Sequence, residues 1–193
     1  MPQTRQARGD DRLSPATVVD AGVALAREHG LDAVTVRRVA HVLGVYPATV
    51  YHHVGGQRDE LVAAVVDRLA ADVPVAPTEG PWRTRLATAA HDVYPMLLTY
   101  PGLADYLQAS PLAGPHARRI RDDVMGVLAD AGLSPEDALD AYRVFFGYIF
   151  GDTRPANADV NYLTRDAGPA RFARGLDIVI AGIAALADRR SRR

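Results

Sequence analysis

The sequence predicts an all-α fold, and three observations support that prediction. Apolar residues recur at helical spacing in every segment that can be interpreted. No stretch of useful length alternates between apolar and polar residues as a half-buried strand does. Capping residues, prolines and glycines divide the chain at the positions where helices begin and end. With 48% hydrophobic and 23% charged residues, the composition is that of an ordinary globular protein.

The first two helices are bounded by clear signals. Ser14 and Pro15 open a helix that Gly30 ends, because serine caps free backbone N–H groups, proline has a preset φ angle and glycine accepts a left-handed cap. Thr35 caps a short second helix with its apolar residues on one side, and Gly44 ends that helix.

Two further helices precede the best candidate for a domain boundary. A short third helix begins at Pro47 and ends near His53, and a longer fourth helix covers about residues 57–72. The next segment, 73–81, contains three prolines and a glycine, which is typical of a linker. The predicted divisions are a flexible arm over 1–13, a first domain over 14–72 and a second domain over 78–188.

The second domain is predicted to consist mainly of longer helices. We expect Pro95 to kink or interrupt the first of them, because proline lacks an N–H and clashes with the preceding turn. Ser134 supplies a cap, and Pro135 a first residue with a preset φ angle, for the later helix predicted over 134–150. The predicted helices cover about residues 82–100, 101–108, 115–131, 134–150 and 169–188.

Composition excludes several classes of protein. The 193 residues carry 22 basic and 23 acidic side chains, which excludes a globally basic nucleic-acid coat protein but not a local DNA contact. The absence of cysteine excludes disulfides, thiolate metal sites and cysteine nucleophiles. No apolar run approaches the ~20 residues of a membrane span, and residues 1–14 lack the apolar region of a secretory signal. We therefore expect a cytoplasmic protein without membrane contact.

Enzyme and metal signatures are also missing from the sequence. It contains no Gly-x-Gly-x-x-Gly, no Gly-Lys-Ser/Thr phosphate loop, no Gly-x-Ser-x-Gly and no His-Glu-x-x-His. We expect no enzyme activity and no cofactor. His52 and His53 are adjacent, so on a helix they point about 100° apart, and no third ligand follows at the i+4 spacing. The sequence therefore predicts no metal site.

Two short helices joined by a tight glycine turn form the helix-turn-helix arrangement. Ala40 lies where the two helices would cross, and Gly44 lies in the turn, where a positive φ is easily reached only by glycine. Val50 points from the third helix back toward the shared core. These residues alone leave two alternatives open, a DNA-binding helix-turn-helix and a purely structural helical hairpin.

The surrounding residues resemble the tetracycline-repressor (TetR) family of transcription regulators. The resemblance runs through VVDAGVALAREHGLDAVTVRRVAHVLGV at 18–45 and YPATVYHHVGGQRDELV at 46–62. The second half of the chain is similar only in architecture. The resemblance implies a three-helix, helix-turn-helix DNA-binding domain followed by a helical ligand-binding and dimerisation domain.

The resemblance also implies the positions that contact DNA. The start of the second helix would meet phosphate or a groove edge, the start of the recognition helix would face the groove, and later residues would touch the DNA backbone. These positions are Thr35, Arg37, Tyr46, Pro47, Ala48, Thr49, Tyr51, His52 and His53. The family's lysine at the start of the fourth helix is replaced here, so Arg58 takes its role unless Gln57 occupies that position. Packing of Tyr51 on the domain core remains an alternative, and for the arm 1–13 two possibilities stay open, a contact in an adjacent minor groove and a disordered tail.

Ligand and dimer contacts are expected in the second domain. The helix at 82–100 is apolar on two sides, which is typical of a central helix. The candidate ligand-binding residues are His91, Tyr94, Leu98, Tyr106, His116, Tyr142 and Phe146. The last two long helices carry more apolar surface than one helical face can hide internally. The candidate dimer-interface residues are Phe145, Ile149, Leu176, Val179, Ile180 and Ile183. Ordinary core packing is the alternative for each member of both sets.

We interpret the chain as a sequence-specific transcriptional regulator. The specific hypothesis is a homodimeric repressor that a small, mostly apolar effector releases from a palindromic double-stranded operator. A bound effector would lever the fourth helix and change the separation of the two recognition helices. The alternative is a helical ligand-binding or interaction module with a degenerate DNA-binding domain.

Overall fold

Helices form nearly all of the regular structure of this chain. The computed structural model describes residues 13–54, 58–110, 114–153 and 168–190. Its helices are α1 (Pro15–His29), a 3-10 turn (Leu31–Ala33), α2 (Val36–Leu43), α3 (Pro47–Val54), α4 (Arg58–Ala71), α5 (Trp82–Thr99), α6 (Leu103–Ala109), α7 (Pro115–Asp130), α8 (Pro135–Asp152) and α9 (Pro169–Arg190). These residues contain no strand, which agrees with the predicted all-α fold.

The helices begin where the sequence predicts because the predicted caps form. The Oγ atom of Ser14 accepts the N–H of Thr17 at 3.1 Å, and Oγ1 of Thr35 accepts the N–H of Arg38 at 3.3 Å. Each bond satisfies a backbone N–H that has no partner inside its helix. The predicted flexible arm lies outside the described residues except for Leu13, which is half-buried against the core.

The first four helices form a close-packed unit. α1 lies against α4, and a Cβ added at Gly22 of α1 would come within 2.5 Å of Cγ2 of Val65 on α4. α2 and α3 lie against α1 and against each other, and Val50 of α3 is fully buried in this unit. Gly22 therefore permits a close contact between α1 and α4, and a larger residue at this position would push the two helices apart.

The expected interruption of α5 at Pro95 does not occur. α5 is continuous from Trp82 to Thr99, and the hydroxyl of Thr99 donates to the carbonyl of Pro95 at 2.8 Å. Much of the helix is buried, at residues Leu86, Ala89, Ala90, Val93, Tyr94 and Leu97. Packing along its length outweighs the one hydrogen bond that proline removes.

The proline-rich segment 73–81 is held against the second group of helices. Val73 and Ala76 are buried, and Arg85 of α5 donates from Nε to the carbonyl of Pro77 at 2.7 Å. The buried side chains of α1–α4 and α5–α9 form one continuous cluster. The division of the chain at this segment stays a prediction.

No helix within the described ranges combines the length and the apolar character that crossing a bilayer requires.

Candidate nucleic-acid interface and effector cavity

A rigid turn connects α2 to α3. Gly44 adopts a left-handed conformation with φ of +67°, and no atom would lie within 4 Å of a Cβ built on it, so the backbone angle is what favours glycine here. The N–H of the next residue, Val45, donates to the carbonyl of Ala40 at 3.0 Å. Ala40 and Val50 are buried at the crossing of the two helices. The two helices thus form the predicted helix-turn-helix.

The start of the recognition helix α3 faces solvent. Tyr46, just before the helix, is 70% exposed, and Pro47 and Ala48 in its first turn are also exposed. Tyr51, one turn later, is 43% exposed, so it does not pack inside the domain core. Thr49 and His53 are half-buried, and His52 is exposed. The predicted groove-facing side chains are therefore accessible.

Basic groups flank this surface at the start of α2 and of α4. Arg37 is exposed in the first turn of α2, while the hydroxyl of Thr35 is engaged as the helix cap. Arg58 is exposed at the start of α4, with a guanidinium nitrogen 3.9 Å from a carboxylate oxygen of Asp32. Gln57, the alternative for the missing lysine, lies outside the described residues.

The two adjacent histidines of α3 form a ring contact. The rings of His52 and His53 lie edge to face, with centroids 5.6 Å apart. Across the described segments of the chain, no group of three or more histidine, aspartate or glutamate residues is arranged to hold a metal ion.

A mostly apolar cavity lies among α4, α5, α6, α7 and α8. Together with its mouth it encloses about 420 Å³ of space free of protein atoms. Its lining residues are Val66, Ala70, Val93, Met96, Leu107, Ala117, Ile120, Tyr142, Phe146 and Phe150. Burial raises the pKa of the Tyr142 phenol, so this side chain stays a neutral hydroxyl at physiological pH.

Only two of the predicted ligand-binding residues, Tyr142 and Phe146, line this cavity. Leu98 and His91 are exposed on α5, and Tyr106 is half-buried on α6. Tyr94 is buried elsewhere, where its ring stacks on another aromatic ring. These four residues and His116 are not among the residues that line this cavity, and their role in ligand binding stays a prediction.

A pair of reciprocal caps joins α4 to α7 next to the cavity. On α4, Oδ1 of Asp67 accepts the N–H groups of His116 at 2.8 Å and Ala117 at 3.1 Å, and Oδ2 lies 2.9 Å from Nδ1 of His116. On α7, Arg119 donates to the carbonyls of Ala70 at 3.2 Å and Val73 at 2.8 Å, at the end of α4. We call these contacts the α4–α7 clamp. An acid at a helix N-terminus and a base at a helix C-terminus both complement the helix dipole.

A second contact connects the 3-10 turn to the corner between α5 and α6. The N–H of Leu31 donates to the carbonyl of Pro101 at 2.8 Å. Gly30 has a positive φ of +81°, and a Cβ there would approach the same carbonyl oxygen to 3.2 Å. The helix-turn-helix unit is thus attached to the second group of helices at two points besides the chain connection.

The predicted dimer-interface side chains are mostly internal to the single chain. Five of them are buried where α8 and α9 pack together and onto the core, namely Phe145, Ile149, Leu176, Ile180 and Ile183, and Val179 is half-buried. The role of these six residues at a dimer interface stays a prediction. The large apolar residues exposed on α8 and α9 are instead Leu139, Val144 and Ile178.

Two family profiles match the chain. Residues 18–65 match the family described as bacterial regulatory proteins, tetR family, and residues 73–168 match the tetracyclin repressor-like C-terminal domain. The chain belongs to the TetR family. Members of this family are transcriptional regulators, so the predictions of the family and of a regulator rather than an enzyme are confirmed.

Individual TetR-family relatives share this architecture. HTH-type transcriptional repressor DrrR1 of Streptomyces coeruleorubidus is 30% identical over 139 residues, or 71% of this chain and 51% of DrrR1, so the match spans about half of that protein. Apo ActR from Streptomyces coelicolor is 25% identical, with a TM-score of 0.77 over 92% of this chain and 97% of ActR. ActR in complex with actinorhodin has a TM-score of 0.74 at 25% identity, over 91% and 98% of the two chains. BioQ with its natural double-stranded DNA operator has a TM-score of 0.72 at 26% identity, over 90% and 99%.

Proposed function

We propose that this TetR-family protein is a homodimeric repressor that binds a palindromic double-stranded operator and is released by a small, mostly apolar effector. The observation that carries the proposal is the connection between an exposed recognition helix and an apolar cavity. α4 belongs to both, since it packs on α1 and also contributes Val66 and Ala70 to the cavity lining. A regulator of bacterial promoters meets DNA in the cytoplasm, which is the location we propose.

The DNA side of the proposal assigns roles by exposure. Tyr46, Pro47 and Ala48 are the groove-facing start of α3, and Thr49 adds a hydroxyl close to them. Later residues of α3 would touch the DNA backbone, namely Tyr51, His52 and His53. Further contacts would come from Thr35, Arg37 and Arg58. Phosphate contacts position such a domain, and a few side chains at the groove read base edges. The operator-bound structure of BioQ, a family neighbour, supports this arrangement.

The dimer side of the proposal uses the outer faces of α8 and α9. Val144 and Ile178 are exposed there, and no protein atom would lie within 4 Å of a Cβ added at Gly147 or Gly182. Glycines in the interior of exposed helices are destabilising by ~1 kcal/mol each, but they allow the helices of a second copy to approach closely. Two-fold symmetry then places two recognition helices at the two halves of a palindrome.

The effector side of the proposal rests on the cavity. The cavity is concave and lined mainly by apolar and aromatic side chains, which is the character of small-molecule sites. Its wall is apolar and aromatic, and the hydroxyl of Tyr142 is a polar group able to orient a ligand. ActR, a family neighbour of similar fold, has been solved in complex with actinorhodin, which supports an effector at the level of the family.

The coupling between the two sites runs through α4. An occupant would touch Val66 and Ala70 on α4 and Ala117 and Ile120 on α7, so it would press on both helices joined by the α4–α7 clamp. A shift of α4 relative to α7 would move α1–α3 with it. An effector that binds the shifted state more tightly by ~1–3 kcal/mol would weaken DNA binding by ~5–150-fold.

Removing one hydroxyl from α3 tests the proposal. The full chain is first used to select duplexes from a random-sequence library, and the recovered duplex is titrated by fluorescence anisotropy. We expect Thr49→Ala to weaken binding by about 10-fold, since a hydrogen bond of ~0.5–1.5 kcal/mol is lost in each of two half-sites. Affinity should also fall steeply with salt, because Arg contacts to phosphate release counterions.

Thr84→Ala is the matched control for this experiment. Thr84 is exposed at the third residue of α5, as Thr49 is the third residue of α3. The control should bind as the wild type does. Failure to recover any duplex from the library would instead favour the alternative, a ligand-binding or interaction module with a degenerate DNA-binding domain.

A further inference from the structure

The groove-facing surface of α3 is unusual in its chemistry. The segment from Tyr46 to Val54 reads YPATVYHHV and contains no arginine, lysine, asparagine, glutamine, aspartate or glutamate. At its exposed N-terminal end, Pro47 and Ala48 have side chains without any hydrogen-bonding group. The two histidines lie in its second half, one turn or more away from that end.

Exposed apolar side chains are concentrated around the same surface. Val42, in the last turn of α2, is 54% exposed, and the rings of Tyr46 and Tyr51 are exposed beside and within α3. An exposed cluster of apolar groups marks a surface that a partner covers. In a helix-turn-helix the partner at this position is the major groove of DNA.

The major groove offers one apolar group to such a surface. Guanine and adenine are read by forked donors and acceptors, chiefly arginine, lysine, asparagine and glutamine, whereas thymine presents a 5-methyl group. The first residues of α3 contain none of those forked side chains. The exposed guanidinium groups of Arg37 and Arg38 belong to α2, the helix that crosses the DNA backbone.

We propose that Pro47 and Ala48 read thymine, by packing against its 5-methyl group, with the methyl group of Thr49 completing the contact. The operator would then carry a thymine in each half-site at the position beneath the start of α3. This inference rests on the proposed function and adds the class of base that the recognition helix selects.

Replacing thymine with deoxyuridine tests the proposal, because uracil keeps the pairing edge and O4 and lacks only the methyl group. The probe is the duplex recovered by the full chain from a random-sequence library, with each thymine replaced in turn. We expect about four-fold weaker binding for each contacted methyl group, the factor that burial of one methyl group predicts. Replacement at the other thymines should leave the affinity unchanged.

A protein variant identifies the residue that makes the contact. Ala48→Gly removes one of the groups that pack on the thymine methyl, so the preference of this variant for thymine over uracil should be smaller at that one position. Ala16→Gly is the matched control, since Ala16 is exposed and follows Pro15 at the second position of α1 as Ala48 follows Pro47 in α3. The control should keep the four-fold preference for thymine.

The outcomes separate this inference from the proposed function. Equal affinity for thymine and uracil at every position of a tightly bound duplex would overturn the methyl contact and leave the regulator intact. An undiminished preference for thymine in Ala48→Gly, in a variant that thermal unfolding shows to be folded, would overturn the assignment to Ala48. Recovery of no duplex at all would overturn both proposals.

Discussion

At the scale of single residues, Tyr94 shows how one side chain joins three helices. From α5 it donates to Oδ2 of Asp152 on α8 at 2.8 Å, and its ring stacks on Phe172 of α9 with centroids 3.7 Å apart. Arg171 of α9 forms an ion pair at 2.6 Å with the other oxygen of the same carboxylate. A residue that the sequence suggests as a ligand contact is therefore a structural link between helices.

Loss of the Tyr94 proton should make the protein less stable at alkaline pH. Burial, and then the hydrogen bond to Asp152, raise the pKa of Tyr94 from 10.0 to about 12. The folded state thus keeps a proton that the unfolded chain loses near pH 10, so this stabilisation is complete below pH 10 and is lost as the pH rises toward 12. Urea unfolding across that range should show a falling free energy of unfolding, with a smaller fall in Tyr94→Phe.

The control for the pH experiment is Tyr51→Phe, which changes an exposed tyrosine. Its free energy of unfolding should fall with pH as steeply as that of the wild type. The fall should not vanish in Tyr94→Phe, because burial also raises the pKa of Tyr142 and Tyr148. If the free energy of unfolding depended on pH in the same way in the wild type and in Tyr94→Phe, the Tyr94 hydroxyl would not be the source of the predicted pH dependence.

At the scale of elements, the α4–α7 clamp links helices that are far apart in the chain. Asp67 and His116 are 49 residues apart, and Arg119 reaches back to the carbonyls of Ala70 and Val73. Gly114 permits the contact, since a Cβ there would overlap the Asp67 carboxylate. Each helix therefore satisfies free backbone groups at the end of the other, which fixes their relative position beside the cavity.

Removing the Asp67 carboxylate should weaken this connection. Asp67→Ala leaves the N–H groups of His116 and Ala117 without their cap, so we expect the free energy of unfolding to fall by ~1–2 kcal/mol. Asp72→Ala, one residue beyond the end of α4, is the control, because its exposed ion pair with Arg68 contributes only ~0.3–0.5 kcal/mol. Equal losses for both variants in urea unfolding would argue against the cap.

At the scale of the whole molecule, the proposed function requires two copies of the chain. One recognition helix covers only a few base pairs, and a palindrome doubles the contact. The outer faces of α8 and α9 offer Val144, Ile178 and exposed small residues to a second copy. The buried members of the same helices, such as Ile180, hold the single chain together instead.

A charge on the outer face of α9 should separate the dimer. Ile178 is 74% exposed in the single chain, so Ile178→Glu should leave the fold intact while opposing the burial of this face against a second copy. We expect a monomer in light scattering and weaker binding to a palindromic duplex. Val75→Glu, at a 65% exposed residue of the segment 73–81, should remain dimeric. A persistent dimer of Ile178→Glu would move the interface to another surface.

Local structure, including the start of the recognition helix, can be predicted from residues that are close together in the chain. Ser14, Thr35 and Ser134 cap the helices that they predict, and Gly44 takes the left-handed turn, because these effects act within a few residues of the chain. The exposure of Ala48 follows from helical spacing, since Val50, two residues later and about 200° further around the helix, points to the core.

Whether an apolar side chain faces the core, the cavity or solvent depends instead on how the helices pack together. Ile178 and Ile180 lie about 200° apart on α9, and α9 is apolar on both sides, so periodicity could not tell the exposed residue from the buried one. Val66 and Ala70 line the cavity because α7 and α8 come to lie opposite them. Spacing along a helix fixes the direction in which each side chain points from the helix axis. Which helix packs against that side depends on contacts between residues that are distant in the chain.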